Sequence, residues 1–429
     1  MPALATIKAL IEEEMVQLVE EGCEVHVTAA DVEKASSSAD ALLNLYAQLR
    51  AAKVRADFPY AEPSTLDAIR RDRPDGPRRM DARVPAARLA DRIHGAWLGR
   101  VIGCMLGKPV EGREHDWIRA YLQNAEAWPL ADYFPEESNG PDGRKAELDA
   151  ACCRGNVHAG MPDDDTNYTI IALRLIEEKG YAFTTADVGR LWLSLLPYNA
   201  ACTAEHQAYA NLVNELPIAE VPLYLNPYRE WIGAQIRADF FGYVTPGSPE
   251  HGAELAFRDA ALSHVKNGIY GEMLMAATIS AALVCDSVED AIRIGLTEIP
   301  RRSRLAEAVR DVLDWHKQMP DWPQAFEAVM RTYGHYHRVH TINNAAIVLL
   351  GLLYGGGDFT KTVGIAVSCG LDTDCNGATA GSICGALIGA DAIPSTWSWP
   401  LNDTLCSTVS GLAECRISDL AARTKRLLR

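Results

Sequence analysis

Residues 95–112 read GAWLGRVIGCMLGKPVEG. Gly95, Gly99, Gly103 and Gly107 recur at every fourth position among Trp, Leu, Val, Ile and Met. Positions i and i+4 of an α-helix share a face, so the four glycines make one stripe without side chains, which another backbone can approach closely. Each glycine in a helix interior costs roughly 0.5–1 kcal/mol relative to alanine, so the stripe has to be offset by tight packing. Pro109 ends the helix and Glu111 sits in the turn beyond it. Residues 370–390, GLDTDCNGATAGSICGALIGA, repeat the pattern with Gly377, Gly381, Gly385 and Gly389. The turn that opens this second small-faced helix carries Asp372 and Asp374 around Thr373.

A third stretch, GMPDDDTNYTI at 160–170, sets Asp163, Asp164 and Asp165 side by side ahead of an apolar run with helical spacing. One aspartate suffices to cap a helix and complement its dipole. Three with Thr166 form an oxygen-rich cluster of the kind that binds magnesium, manganese or calcium. Taken alone, the stretch fits a solvated acidic loop equally well. Two acid-rich turns, each feeding a helix, can be brought together at helix N-termini. They would then supply up to five carboxylates, whose repulsion calls for about the charge of two divalent ions.

The remaining sequence bounds the setting. The chain has 429 residues and a net charge of -16, a surface that repels nucleic-acid backbones and anionic lipid. Its longest apolar runs fall short of the ~18 residues that a membrane span needs. Eleven cysteines without CxxC pairs or framework spacing, and an acidic amphipathic N-terminus, predict a cytoplasmic protein with buried free thiols. Helical signals dominate and strand alternation is scarce, so the expected class is all-α. Ser or Thr followed three residues later by Asp marks helix starts at Thr28, Ser64, Thr184 and Ser287. Residues 1–52 read as two helices. Residues 53–90, rich in Arg, Asp and Pro, read as a linker or strap with one short helix near 65–71. The expected division is an N-terminal helical extension at 1–90 and a helical catalytic domain at 91–429. The irregular stretch 126–163, which leads into the aspartates, has the length of a functional loop.

Other candidates are weaker. His335, His337 and His340 do not match a zinc-ligand spacing. Cys104, Cys153 and Cys375 lack a Cys-His-Asn signature, and no phosphate-binding or dinucleotide fingerprint is present. Trp231, Tyr270 and Asn344 are candidates to shape a substrate pocket. His264, in DAALSHVKNGIYGE, reads on its own as a core or surface histidine.

The ordered set LGKPVEG after the glycine helix, DDDT, LSH, and DTD before AxAGxxxGAxxGA resembles the ADP-ribosylglycohydrolase family, which includes dinitrogenase reductase-activating glycohydrolase. The resemblance spans about residues 90–420, and residues 1–90 have no counterpart in the minimal family domain. It implies a compact all-α bundle with a dinuclear magnesium or manganese centre in a cleft. It also implies hydrolysis of an N- or O-glycosidic bond at the anomeric carbon of an ADP-ribosyl or ribosyl group, on a small molecule or a protein. On this resemblance Asp163, Asp164, Asp165, Asp372, Asp374 and Cys375 are the metal ligands, with two Mg2+ ions expected and Mn2+ as an alternative. Glu111, Asp165 and Asp374 are the catalytic candidates, and His264 and Asn344 the substrate-binding ones. Two positions depart from the family pattern, which has threonine where Asp163 and Cys375 stand. The alternative reading is a non-catalytic ribosyl-ligand-binding or structural member of the same fold.

Overall fold

Twenty α-helices and two short hairpins, joined by 3-10 turns and loops, are formed among the described residues, 3–81 and 83–428, of the computed structural model. The chain begins with α1 (Leu4–Glu20), α2 (Ala29–Ala35) and α3 (Ala39–Arg50). Three helices form where the periodicity suggested two, because Ser38 caps a new helix by accepting the Ala41 N–H. They enclose a small core around Ile7, Ile11, Leu42 and Tyr46, which Leu225 of the later chain completes. Buried charges fasten α1 to the 226–230 segment. Arg229 pairs with Glu14 at 2.6 Å and Glu21 at 2.8 Å, and Gln17 donates to Glu230 at 2.7 Å.

Residues 51–81 form a strap that carries α4 (Leu66–Asp72). Ala61 N–H donates to Arg302 O, Met80 N–H to Gly247 O, and Glu62 pairs with Arg304 at 2.7 Å. The capping pattern at Ser64 and Asp67 does not form. Thr65 is the N-cap without a side-chain bond, and Ser64 Oγ accepts the distant Lys266 N–H instead. The other three starts hold: Thr28 and Thr184 close full capping boxes with Asp31 and Asp187, and Ser287 accepts from Asp290 N.

The body opens with α5 (Ala86–Gly107) and α6 (His115–Asn124). The irregular stretch after α6 holds an antiparallel hairpin, β1 (Glu137–Asn139) and β2 (Lys145–Glu147). Next come α7 (Asp164–Lys179), α8 (Thr185–Leu195), α9 (Thr203–Val213), α10 (Asp239–Tyr243) and α11 (Pro249–Ala260). The series continues with α12 (Lys266–Ala282), α13 (Val288–Leu296), α14 (Arg304–Gln318), α15 (Trp322–Tyr333), α16 (Thr341–Gly355), α17 (Phe359–Ser368) and α18 (Thr373–Ile388). Helix α19 (Ser395–Ser398), the hairpin of β3 (Thr404–Cys406) and β4 (Glu414–Arg416), and α20 (Ile417–Leu427) complete it. Helices α12, α16 and α18 are apolar around nearly their whole circumference and are buried on all sides, as such helices must be. Among the described residues, no helix is long and apolar enough to cross a membrane.

The two glycine stripes lie against each other. Gly95 faces Gly385, Gly99 faces Gly381, Gly103 faces Gly377 and Gly107 faces Thr373. The numbers run in opposite senses, so α5 and α18 are antiparallel. A Cβ on Gly103 would strike the carbonyl of Gly377, and one on Gly377 the carbonyl of Gly103. The end of α5 is thereby held beside the start of α18. Thr373 Oγ1 donates to Gly107 O at 2.8 Å, and Gly112 N–H donates to Leu371 O at 3.1 Å. Because the obstacle is backbone, Gly103→Ala should destabilise the protein by about 3 kcal/mol. Urea unfolding measures this, and a loss below about 1 kcal/mol would mean that the helices can separate freely.

Candidate active site

Helix α7 starts where the aspartates do. Asp163 is its N-cap, with Oδ1 accepting the Asp165 N–H at 3.1 Å. Its other oxygen is ion-paired with Lys108, from the turn after α5. Thr166 turns its hydroxyl back onto Asp163 O, so it offers nothing outward. Asp165 is fully buried and is gripped by Arg100 of α5, which donates to its Oδ1 at 2.8 Å and also to its backbone oxygen. Arg100 reaches on to Asp239 at 2.6 Å. This arginine lies on the apolar glycine helix, where a lone charge signals a buried ion pair.

The second acidic turn is braced by Asn344 near the start of α16. Its Oδ1 accepts from Asp372 N–H at 3.3 Å and Asn376 Nδ2 at 2.8 Å, while its Nδ2 donates to the carbonyls of Arg338 and His340. Both ends of the amide are committed to holding the turn.

The two turns converge through the α5–α18 contact. Ligand-type atoms of Asp165, Asp374 and Cys375 lie within 4.8 Å of one another, as do those of Glu111, Asp372 and Asp374, and those of Cys104, Asp163 and Asp165. Asp374 belongs to two of these groups. Asp164 belongs to none. It lines the same cleft, half-buried, beside Cys202 and Glu205. The cleft measures about 810 Å³, within the rough 300–1,000 Å³ range of small-molecule sites. One wall is Trp231 stacked on His337, with ring centroids 4.1 Å apart.

Burial raises the pKa of each of these groups. Asp165 and Asp374 are pushed well above the usual carboxylate range by loss of water, helped for Asp374 by Asp372 and Asp163. Burial raises Asp372 to about 6, and raises the Asp164 carboxyl and Cys375 thiol. Keeping all of them ionised needs more counter-charge than Arg100 and Lys108 supply. Asp165 Oδ2 and Asp374 Oδ1 are buried without a hydrogen-bond partner among the described residues. Leaving such atoms unsatisfied costs more than a normal bond yields.

Other sequence candidates lie elsewhere. His264 is buried behind the cleft wall. Its Nε2 accepts the Ala234 N–H at 3.3 Å, so its proton is on Nδ1, which donates to Ser263 Oγ at 2.8 Å. Burial and the nearby Arg237 keep it neutral. Tyr270 donates to Pro63 O and anchors the strap. His340 caps α16 through Ile342 N–H, and none of the three clustered histidines joins a metal-type group among the described residues. All eleven cysteines are free. Sequence reasoning missed Arg100 and Lys108, and weighed Cys104 only as a nucleophile.

The family model for ADP-ribosylglycohydrolases matches residues 85–427. Among solved structures, 46 chains match. One of them, described as an ADP-ribosylglycohydrolase-related protein complex, is 18% identical with a TM-score of 0.46, and the match covers 80% of this chain and 98% of that one. No curated protein matches.

Removing Arg100 would leave Asp165 and Asp239 buried without their cation. Arg100→Met should therefore cost about 3–5 kcal/mol in chemical unfolding. Wild-type stability in this variant would show that the pair carries no weight.

Proposed function

Since this chain belongs to the ADP-ribosylglycohydrolase family, it is a glycosyl hydrolase, and we propose that it cleaves an N- or O-glycosidic bond at the anomeric carbon of an ADP-ribosyl or ribosyl group, using two divalent cations, Mg2+ or Mn2+, in the acid cleft. The observation that carries this reading is the pair of orphaned oxygens, Asp165 Oδ2 and Asp374 Oδ1, on two carboxylates that belong to overlapping groups of metal-type side chains. Charge supports it too. Six carboxylates gather here: Glu111, Asp163, Asp164, Asp165, Asp372 and Asp374. Arg100 and Lys108 are the cations in direct ion pairs with them among the described residues, and Arg100 is shared with Asp239. At least four negative charges are left, which two divalent cations would balance.

Glu111, Asp372, Asp374, Asp165 and Cys375 would hold the cations. Asp163 is spent on Lys108 and the α7 cap, and shapes the site from beside it. Bound cations would fix vicinal ribose hydroxyls and lower the pKa of a water. Glycoside cleavage passes through an oxocarbenium-like state, and a carboxylate must take the proton of the attacking water. Asp165 is locked by Arg100. Glu111 is exposed at the cleft, and is the acid with room to receive that proton. Trp231 and His337 give the sugar or its leaving group an aromatic wall. Asn344 and His264 position the acidic turn and the 233–236 wall from behind.

The same reading treats 1–90 as an extension and 91–429 as the catalytic body. The family match beginning at residue 85 and the small core that α1–α3 enclose support that division. The substrate is small or protein-linked, nucleic acid is disfavoured by the charge of -16, and the free thiols suit a reducing cytoplasm.

The test offers metal-free protein ADP-ribosyl-arginine, ADP-ribosyl-serine, O-acetyl-ADP-ribose, ADP-ribose and nucleosides, with and without Mg2+ or Mn2+, and reads released ribosyl products by mass spectrometry. Metal-dependent release from at least one substrate is expected. Asp374→Asn should lose both metal and turnover, while Glu111→Gln should keep at least one bound metal and lose turnover by about 10²-fold or more. Equal release with and without metal would overturn the proposal.

A further inference from the structure

Three metal-type groups surround Asp165 and Asp374, and they differ chemically. Glu111, Asp372 and Asp374 offer oxygen alone. Asp165, Asp374 and Cys375 offer two oxygens and one sulfur. Cys104, Asp163 and Asp165 also include a thiol, but this third group is closed. Asp163 has both oxygens engaged, by Lys108 and by the Asp165 N–H. Cys104 is buried at 1% exposure and does not line the cleft. The other two groups share Asp374; Glu111, Asp372, Asp374 and Cys375 line the cleft, and Asp165 is buried just behind them.

We propose that the cleft binds two different kinds of cation side by side: a hard one on Glu111, Asp372 and Asp374, and a borderline one, of the zinc or cobalt class, on Asp165, Asp374 and Cys375 with sulfur as a ligand. This rests on the metal-dependent reading above and assigns the two positions. Oxygen donors suit magnesium, whereas thiolate favours softer metals. Three protein ligands with open positions filled by water or substrate are the pattern of a catalytic zinc-type site. Asp165, whose Oδ2 is orphaned, belongs to this sulfur-containing group, and Asp374, whose Oδ1 is orphaned, is the carboxylate that the two positions share. Binding exchanges a proton for a metal: the Cys375 S–H bond breaks, the proton leaves to water, and the metal–sulfur bond forms without any change of oxidation state.

Cys202 is a rival ligand, since it also lines the cleft. It sits with Asp164, outside all three groups. The arrangement therefore predicts that Cys375, and neither Cys202 nor Cys104, supplies the sulfur.

The experiment loads full-length apo-protein with one equivalent of zinc in excess magnesium and records X-ray absorption at the zinc edge, alongside equilibrium dialysis for both metals. A single sulfur shell at about 2.3 Å with otherwise light scatterers is expected. Cobalt in place of zinc should show a thiolate charge-transfer band. Cys375→Ser should abolish both signals and weaken zinc binding by about tenfold or more, with magnesium binding kept or strengthened. Cys202→Ser and Cys104→Ser should keep both signals. Zinc bound without a sulfur shell overturns the inference while leaving the metal-dependent reading intact. A sulfur shell that survives in Cys375→Ser, or vanishes in Cys202→Ser, also overturns it. Absence of any divalent binding overturns this inference and the metal-dependent reading together. The wild-type spectrum decides the sulfur question even if a variant fails to fold.

Discussion

Backbone-to-backbone contact between α5 and α18 is the constraint on which the rest depends. Side chains on either glycine stripe would push the helices apart. With the stripes bare, the antiparallel pair closes fully and its register is fixed. The last turn of α5 then abuts the first turn of α18, bringing Lys108 and Glu111 to Asp372 and Asp374. Arg100, about two turns before the stripe ends at Gly107, draws in the start of α7 with Asp165. Three chain segments far apart in sequence thus meet at one point, and two of them arrive as helix N-termini.

That convergence carries an electrostatic penalty. Carboxylates are taken from water and set against one another, and burial pushes Asp165, Asp372 and Asp374 upward. The fold offsets part of the repulsion with two cations of its own and leaves the remainder uncompensated. Strain of this kind is typical of functional sites, where a ligand completes what the protein leaves open. The aromatic wall and the braces at Asn344 and His264 show how much of the neighbouring structure is given to holding the acids and the cleft in place.

Much of this is legible in the sequence wherever the signal is local. The four-residue glycine spacing, the acids at helix starts, the caps at Thr28, Thr184 and Ser287, and the all-α class depend on neighbours within a few positions. What escapes depends on distant partners. Ser64 has the spacing of a cap but bonds Lys266, about two hundred positions away. Arg100 and Lys108 acquire meaning only once Asp165, Asp239 and Asp163 are beside them. Asn344 is a pocket candidate by its place near the motifs and His264 by the family resemblance alone; in the structure their polar atoms bond backbone and neighbouring side chains. The hairpin within the 126–163 stretch has strands too short for an alternating pattern. Within the acid run, adjacency hides a division of labour: Asp163 caps and pairs, Asp165 faces the ligand groups, and Asp164 turns toward Cys202.

If the glycine contact assembles a two-cation centre sharing Asp374, the most direct measurement is a crystal of the full chain grown with manganese, with its anomalous scattering mapped. Two peaks are predicted, one among Glu111, Asp372 and Asp374 and one among Asp165, Asp374 and Cys375, both touching Asp374. An empty cleft at saturating manganese, with the acids in place and their oxygens met by protons or water alone, would contradict it.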